Sequence, residues 1–348
     1  MKQMKTLVAA SLIGLLSACG GGDDNNSVST GTFNLGVSDA PVEEASEVVL
    51  FFSHVVMVPE DGGDAIVFDF AEDEGAPRSV DLLDFQGSNA DFIISERELP
   101  VGDYRMCMYA LNGDGSEELS YVNSKEQGIV PLSIDSQGSC YGTKPDFEDG
   151  GRLKLTDERL VSINVGINSF VAEFDLRKGL VDPKNAPGMK IKPNAVRLVN
   201  VSEIGTISGT LAQTQFDACE ADFSSLLGAS EFSHAAYLYA GSRDRTTMGD
   251  IAGDQGFPAD SALVEPVAVA SINPVEVTQE DGTTATELQY EFGFIGEGTY
   301  SIGYTCVANA DLPDTHETDA EGFAIYQHYT PVEVEANEET VQDLDPIL

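Results

Sequence analysis

Val48-Val49-Leu50-Phe51-Phe52-Ser53-His54-Val55-Val56-Met57-Val58 decides the fold. Only Ser53 and His54 interrupt the apolar side chains, so both faces of an extended strand would be apolar. A strand of that kind belongs at the centre of a sheet covered on both sides. Outward from it, Thr32–Val37, Ala65–Phe70, Tyr104–Leu111, Leu160–Val165, Phe170–Leu176 and Val196–Val201 read as further strands. Clusters of Gly, Pro, Asn and Asp separate them, while helical periodicity is weak throughout. The expected class is all-β, with sandwiches or a barrel-like variant.

The 348 residues suit two domains. With 42% hydrophobic and 22% charged residues, the chain has the composition of a folded protein. Its 59 Asp+Glu against 18 Lys+Arg give a formal net charge of -41. Such a body is repelled by nucleic acid, whose binding depends on cationic side chains displacing counterions. Anionic lipid surfaces repel it too unless something else anchors it. The acidity also serves solubility and hydration, and salty surroundings would screen the self-repulsion.

An anchor is written near the start. Lys2 and Lys5 precede the short apolar run Leu7–Leu16, too short to span a bilayer. Leu16-Ser17-Ala18-Cys19 follows and resembles the bacterial lipobox. That resemblance implies residues 1–18 as signal peptide, cleavage before Cys19, and lipid on its thiol and new amine. Residues 19–30 carry the Gly/Asp/Asn tether, and Gly20 in place of Asp after the Cys points to the outer membrane. The membrane partner is therefore reached through lipid, with the leaflet open.

A boundary is expected near Ser202-Glu203. Residues 31–203 hold 14 Lys+Arg, whereas residues 204–348 hold only Arg243 and Arg245. The domains are thus expected at 31–203 and 204–348. An internal echo supports the split. Leu99-Pro100-Val101-Gly102-Asp103-Tyr104 leads into a strand with Cys107, and Gly296-Glu297-Gly298-Thr299-Tyr300 into one with Cys306. Gly provides the turn, and Tyr buries its ring while its hydroxyl keeps a polar partner. After Cys19, four cysteines remain in an oxidising compartment. Of three possible pairings, the domain split favours Cys107 with Cys140 and Cys219 with Cys306. Zinc is the competing use, but no pair has C-x-x-C spacing.

Motif order adds a family resemblance. Gly36-Val37-Ser38-Asp39-Ala40-Pro41, Val80–Phe85, Leu99-Pro100-x-Gly102-x-Tyr104, Phe174–Lys178 and Lys190-Ile191-Lys192-Pro193-x-x-x-Arg197 succeed one another over residues 31–203. The order resembles the family catalogued as Domain of Unknown Function 4382, common in bacterial lipoproteins. It implies an extracytoplasmic β-rich domain and brings no catalytic residues. The second domain, with Gly205-x-Ile207-x-Gly209 and the Gly298–Tyr300 turn, resembles transthyretin-like or carboxypeptidase-regulatory-like sandwiches, which are accessory modules.

Catalytic signatures are sparse. Four histidines occur, His54, His234, His316 and His328, and no nucleophile elbow, metalloprotease helix motif, phosphate loop or dinucleotide fingerprint is present. His54 reads as a hydrogen-bonded strand histidine. Carboxylates are too abundant for one acid–base pair to stand out. Arg177, Lys178, Lys184, Lys190, Lys192 and Arg197 either dock an anion or neutralise the domain's own carboxylates. Asn112–Glu117 resembles a calcium loop but lacks Gly at its sixth position, so it reads as a hairpin turn. Asp311–Gly322 offers five carboxylates, with Asp311, Asp314 and Asp319 as candidate calcium ligands. A solvated acidic loop is the other reading of that segment. The function these features favour is a non-enzymatic envelope module, structural or binding an envelope protein or glycan, with no cofactor beyond calcium. The alternative is an envelope glycan hydrolase using a carboxylate pair.

Overall fold

A computed structural model describes residues 29–40, 45–145, 150–155, 160–183, 188–224, 232–252, 256–279, 282–312, 315–316 and 322–347. Cys19 and the segment around it lie outside these residues. The first part of the chain forms β1 (Thr30–Ala40), β2 (Ala45–Pro59), β3 (Ile66–Asp69), β4 (Arg78–Asp81), β5 (Asp91–Pro100), β6 (Gly102–Leu111) and β7 (Tyr121–Ser124). It continues with β8 (Gly128–Ile134), β9 (Gly150–Lys154), β10 (Val161–Ile163), β11 (Ile167–Asp175), β12 (Leu180–Val181), β13 (Met189–Ile191) and β14 (Val196–Asn200). The second part forms β15 (Ile204–Thr210), β16 (Ala235–Ala240), β17 (Ala268–Ser271), β18 (Asn273–Thr278), β19 (Thr284–Gly296), β20 (Gly298–Thr305), β21 (Gln327–Val334) and β22 (Glu339–Val341). Helices are short: α1 (Phe70–Glu74), α2 (Leu176–Gly179) and α3 (Gln213–Phe223).

The protein is all-β and sandwich-like. A four-stranded sheet, β14-β11-β1-β5, faces a larger one ordered β10-β6-β2-β7-β8-β13-β12, to which β3, β4 and β9 add. Two further four-stranded sheets follow, β18-β19-β15-β22 and β17-β16-β20-β21. Among the described residues no strand before Ile204 pairs with one after it. Val201–Glu203 makes a single 3-10 turn between β14 and β15.

β2 takes the central place its sequence dictates. Its second half pairs with β6 and β3, and its first half with β7 and β4. Val48, Leu50, Phe52, Val55 and Met57 join the main core. Val56 belongs to a separate small cluster with Cys107, Tyr109 and Cys140 on the other face. A disulfide joins Cys107 to Cys140 there, and a second joins Cys219 on α3 to Cys306 beyond β20. Residues 112–117 are not a hairpin turn. β6 and β7 both run antiparallel to β2, along successive stretches of it, so the connection carries the chain onward without reversing it.

The echo around Gly-x-Tyr marks equivalent corners. Between β5 and β6 the chain crosses from one sheet to the other with only Val101 intervening, and between β19 and β20 only Glu297 intervenes. Gly102 and Gly298 adopt φ values of 159° and 158°, backbone that a Cβ resists. Tyr104 donates its hydroxyl to the Pro100 carbonyl at 2.7 Å, and Tyr300 to that of Gly296 at 2.9 Å. Each tyrosine thus ties its corner to the residue four positions back. Connectivity repeats as well. β1 is antiparallel to β5 and parallel to β11, as β15 is to β19 and β22. β2 pairs antiparallel with β6, as β16 does with β20.

Candidate functional site

The two pairs of sheets meet through polar groups. At the end of β11, Asp175 accepts from the Lys178 N–H at 3.1 Å and so caps the single turn of α2. That turn points Arg177 into the second part of the chain, where its Nη1 donates to the Ala308 carbonyl at 3.3 Å. Arg177 is 7% exposed. Beside it, Lys178 Nζ lies 3.4 Å from Glu265. On the neighbouring strand Arg197 pairs with the buried Glu173. Farther along, the Ser88 N–H donates to Glu291 Oε1 at 2.7 Å. Gly293 allows this approach, because a Cβ there would sit 2.0 Å from the Gly87 carbonyl oxygen.

Asp311 lies at the heart of this junction. It follows the 3-10 turn Ala308–Ala310 and is 6% exposed. Tyr237 donates its hydroxyl to Oδ2 at 2.7 Å, and the Ile251 N–H donates to Oδ1 at 3.1 Å. Burial pushes its carboxyl up to about 7, against the opposing pull of the Tyr237 hydroxyl, the Arg177 charge and the Ile251 N–H. The charge of Asp250 pushes the same way as burial. Asp250, itself fully buried, contacts His316 Nδ1 at 2.8 Å. Burial also raises Glu173, with Arg197 opposing it.

Among the described residues, two grooves open to solvent along the junction. One, of about 940 Å³, runs between the two corners and is lined by Leu160, Phe170, Leu198 and Tyr300 with Asp103 and Glu203. Within it Asp103 accepts from Ser162 at 2.6 Å and Glu203 from Asn200 at 3.1 Å. The other, of about 500 Å³, lies on the β15–β19 sheet against Gln86 and Gly87. Its Ser208 donates to Glu339 at 2.6 Å, and Thr210 to Asp343 at 2.8 Å.

These positions revise the candidate residues. Asp311 does not sit in a solvated loop: the Ala308–Ala310 turn folds it onto Tyr237, and both its oxygens already accept hydrogen bonds. Asp314 and Asp319 lie outside the described residues, among which no group of three metal-ligating side chains forms. The basic cluster is dispersed. Arg177 is buried, Lys178, Lys190 and Arg197 pair with Glu265, Asp135 and Glu173, and Lys184 lies outside the described residues. His54 is buried in β2 with Nε2 3.3 Å from Asp69. Sequence reasoning missed His234, whose Nδ1 lies 2.8 Å from the Tyr304 hydroxyl and whose Nε2 lies 3.2 Å from Glu220. Phe216 stacks on its ring at 3.7 Å. Phe216 and Glu220 stand four apart on α3, so one face of that helix presents both contacts to His234.

Residues 30–193 match the model of a family described as Domain of unknown function (DUF4382). The N-terminal region resembles this family. The DUF4382 region therefore covers both sheets before Ile204 apart from β14. No curated protein matches the chain. Among solved structures, a candidate cell adhesion protein from Bacteroides fragilis is 8% identical, covering 90% of this chain and 92% of its own, with a TM-score of 0.18. A candidate adhesin from Bacteroides thetaiotaomicron is 11% identical, covering 80% and 78%, with a TM-score of 0.17. The fimbrial anchor protein Mfa2 from Porphyromonas gingivalis is 11% identical, covering 80% and 83%, with a TM-score of 0.14. A likeness this slight carries no functional conclusion.

Proposed function

We propose that the protein is a non-enzymatic module of the bacterial envelope, held by lipid on Cys19 and built from two domains, 31–203 and 204–348. One observation carries the non-enzymatic reading. Among the described residues, the carboxyl groups that burial pushes upward, Asp81, Glu173, Asp175 and Asp311, line neither groove. Glycoside hydrolysis needs one such raised carboxyl against the leaving oxygen and a second, ionised one across the sugar. Of the groove carboxylates, Asp103, Glu203, Glu339 and Asp343 accept hydrogen bonds from neighbouring side chains, and Glu291 accepts from the Ser88 N–H.

The groove between the corners supports a binding or bracing role. It has the volume of a small-ligand site and lies between two sheet pairs, where such sites concentrate. Its lining includes Tyr300 and the turn into β15, both part of the scaffold. The envelope assignment rests on Leu16-Ser17-Ala18-Cys19-Gly20. No helix among the described residues is long and apolar enough to cross a membrane. Incubation with envelope glycan fragments tests the reading. Retention without new reducing ends, or no interaction at all, fits a module; release of reducing ends that Asp103→Asn or Glu203→Gln abolishes would establish the hydrolase.

A further inference from the structure

We propose that Val101, Val165 and Ile167 form a foot that rests in the headgroup region of a zwitterionic bilayer and orients the anchored protein. The inference builds on lipid attachment at Cys19. Ile167 and Val165, 81% and 76% exposed, are the two most exposed large hydrophobic residues among those described. Val101 is 41% exposed at the first corner. Exposed apolar side chains scattered singly are ordinary, but these three converge on one end of the fold.

The convergence is built by hydrogen bonds around the incoming chain. Val101 N–H donates to the Ser29 carbonyl at 2.9 Å, and Thr32 N–H to that of Gly166 at 2.8 Å. Residues 29–32 therefore run between the two turns that carry the apolar tips. Gly31 lets the second turn close in, since a Cβ there would lie 2.0 Å from the Asn164 carbonyl oxygen. Asn168 stiffens that turn: its Oδ1 accepts from the Asn164 N–H at 2.9 Å, and its Nδ2 donates to the Asn164 carbonyl at 2.7 Å. Val165 and Ile167 are thus held outward by a braced turn with Gly166 at φ 106°.

Chain length fixes what faces this end. Ten residue steps lead from Cys19 to Ser29, and fully extended they span at most about 33–36 Å. A lipid on Cys19 keeps the apolar end within that distance of the bilayer. Charge selects the surface. Glu98 accepts from Thr32 at 2.9 Å and Asp103 sits beside the first corner, so anionic headgroups would be repelled. Aliphatic side chains at the boundary between headgroups and acyl chains gain burial that water denies them.

The chain contains no Trp, so Ile167→Trp supplies a single indole at the foot. The full lipidated chain is reconstituted in phosphatidylcholine vesicles with and without brominated acyl chains, and flotation is measured on the same samples. Val341→Trp, at a site 66% exposed on β22, is the control. The foot predicts that Ile167→Trp emission shifts to shorter wavelength and is quenched by brominated lipid, whereas Val341→Trp is unaffected. Adding Val165→Asp to Ile167→Trp should reduce the quenching. A chain that floats with an unquenched indole overturns the foot and leaves the anchor standing. A chain that fails to float overturns the anchor and the foot together. A shift that grows with protein density but ignores brominated lipid means contact between copies, and overturns the foot.

Discussion

Asp311→Asn should remove the pH dependence that one buried carboxyl imposes on stability. In the folded protein Asp311 stays protonated up to about pH 7, whereas its ordinary value is 3.8. Between these limits the unfolded chain has released the proton and the folded chain has not. Folding then becomes less favourable as pH rises, because the unfolded state binds fewer protons. The contribution is fully present below the unfolded value, declines through the interval and is lost above about 7. A difference of this size corresponds to roughly 4 kcal/mol. Asn occupies the same volume, its Oδ1 still accepts from the Ile251 N–H, and it has no proton to release. Urea unfolding of both proteins across the interval is the assay. The stability of Asp311→Asn relative to wild type should rise by about that amount between pH 4 and pH 8. Parallel stability curves would refute the burial argument and the role of Asp311 in the junction.

Tyr104→Phe and Tyr300→Phe should each cost about 1 kcal/mol, more if the freed carbonyl is left without water, and denaturant midpoints read this directly. A loss at one corner only would deny that the corners are equivalent. Limited proteolysis near Ser202-Glu203 should leave each half with its own disulfide, and non-reducing peptide mapping that joined the halves covalently would contradict the two-domain division. Millimolar Ca²⁺ should leave the melting temperature unchanged against NaCl of matched ionic strength, since both Asp311 oxygens are already engaged. A specific rise, lost in the Asp311→Asn, Asp314→Asn, Asp319→Asn variant, would restore the calcium site.

The strands were legible because their residues announce themselves locally. Val48–Val58 could hardly be anything but a covered central strand, and Gly102-x-Tyr104 and Gly298-x-Tyr300 carry the corner in three residues. What the sequence hid depends on distant partners. α3 is preceded by Ala212, which offers no side-chain cap, and its interior mixes Gln215 and Asp217 with Phe216 and Cys219. It is fixed instead by the bridge from Cys219 to the distant Cys306 and by the His234 contacts, which form only on folding. Asp311 heads a uniformly acidic stretch, so nothing local separates it from solvated neighbours. Its burial follows from Tyr237 and Ile251, 74 and 60 residues earlier. Arg177 likewise reads as one basic residue among several until the second half of the chain closes over it.

Fatty-acid labelling of cells expressing the wild type and Cys19→Ala tests the central claim, a module tethered to the envelope by lipid. The account predicts label on the wild-type chain, recovery of that chain with membranes, and neither for Cys19→Ala. Equal labelling of the two, or a wild-type chain free of label, would contradict it.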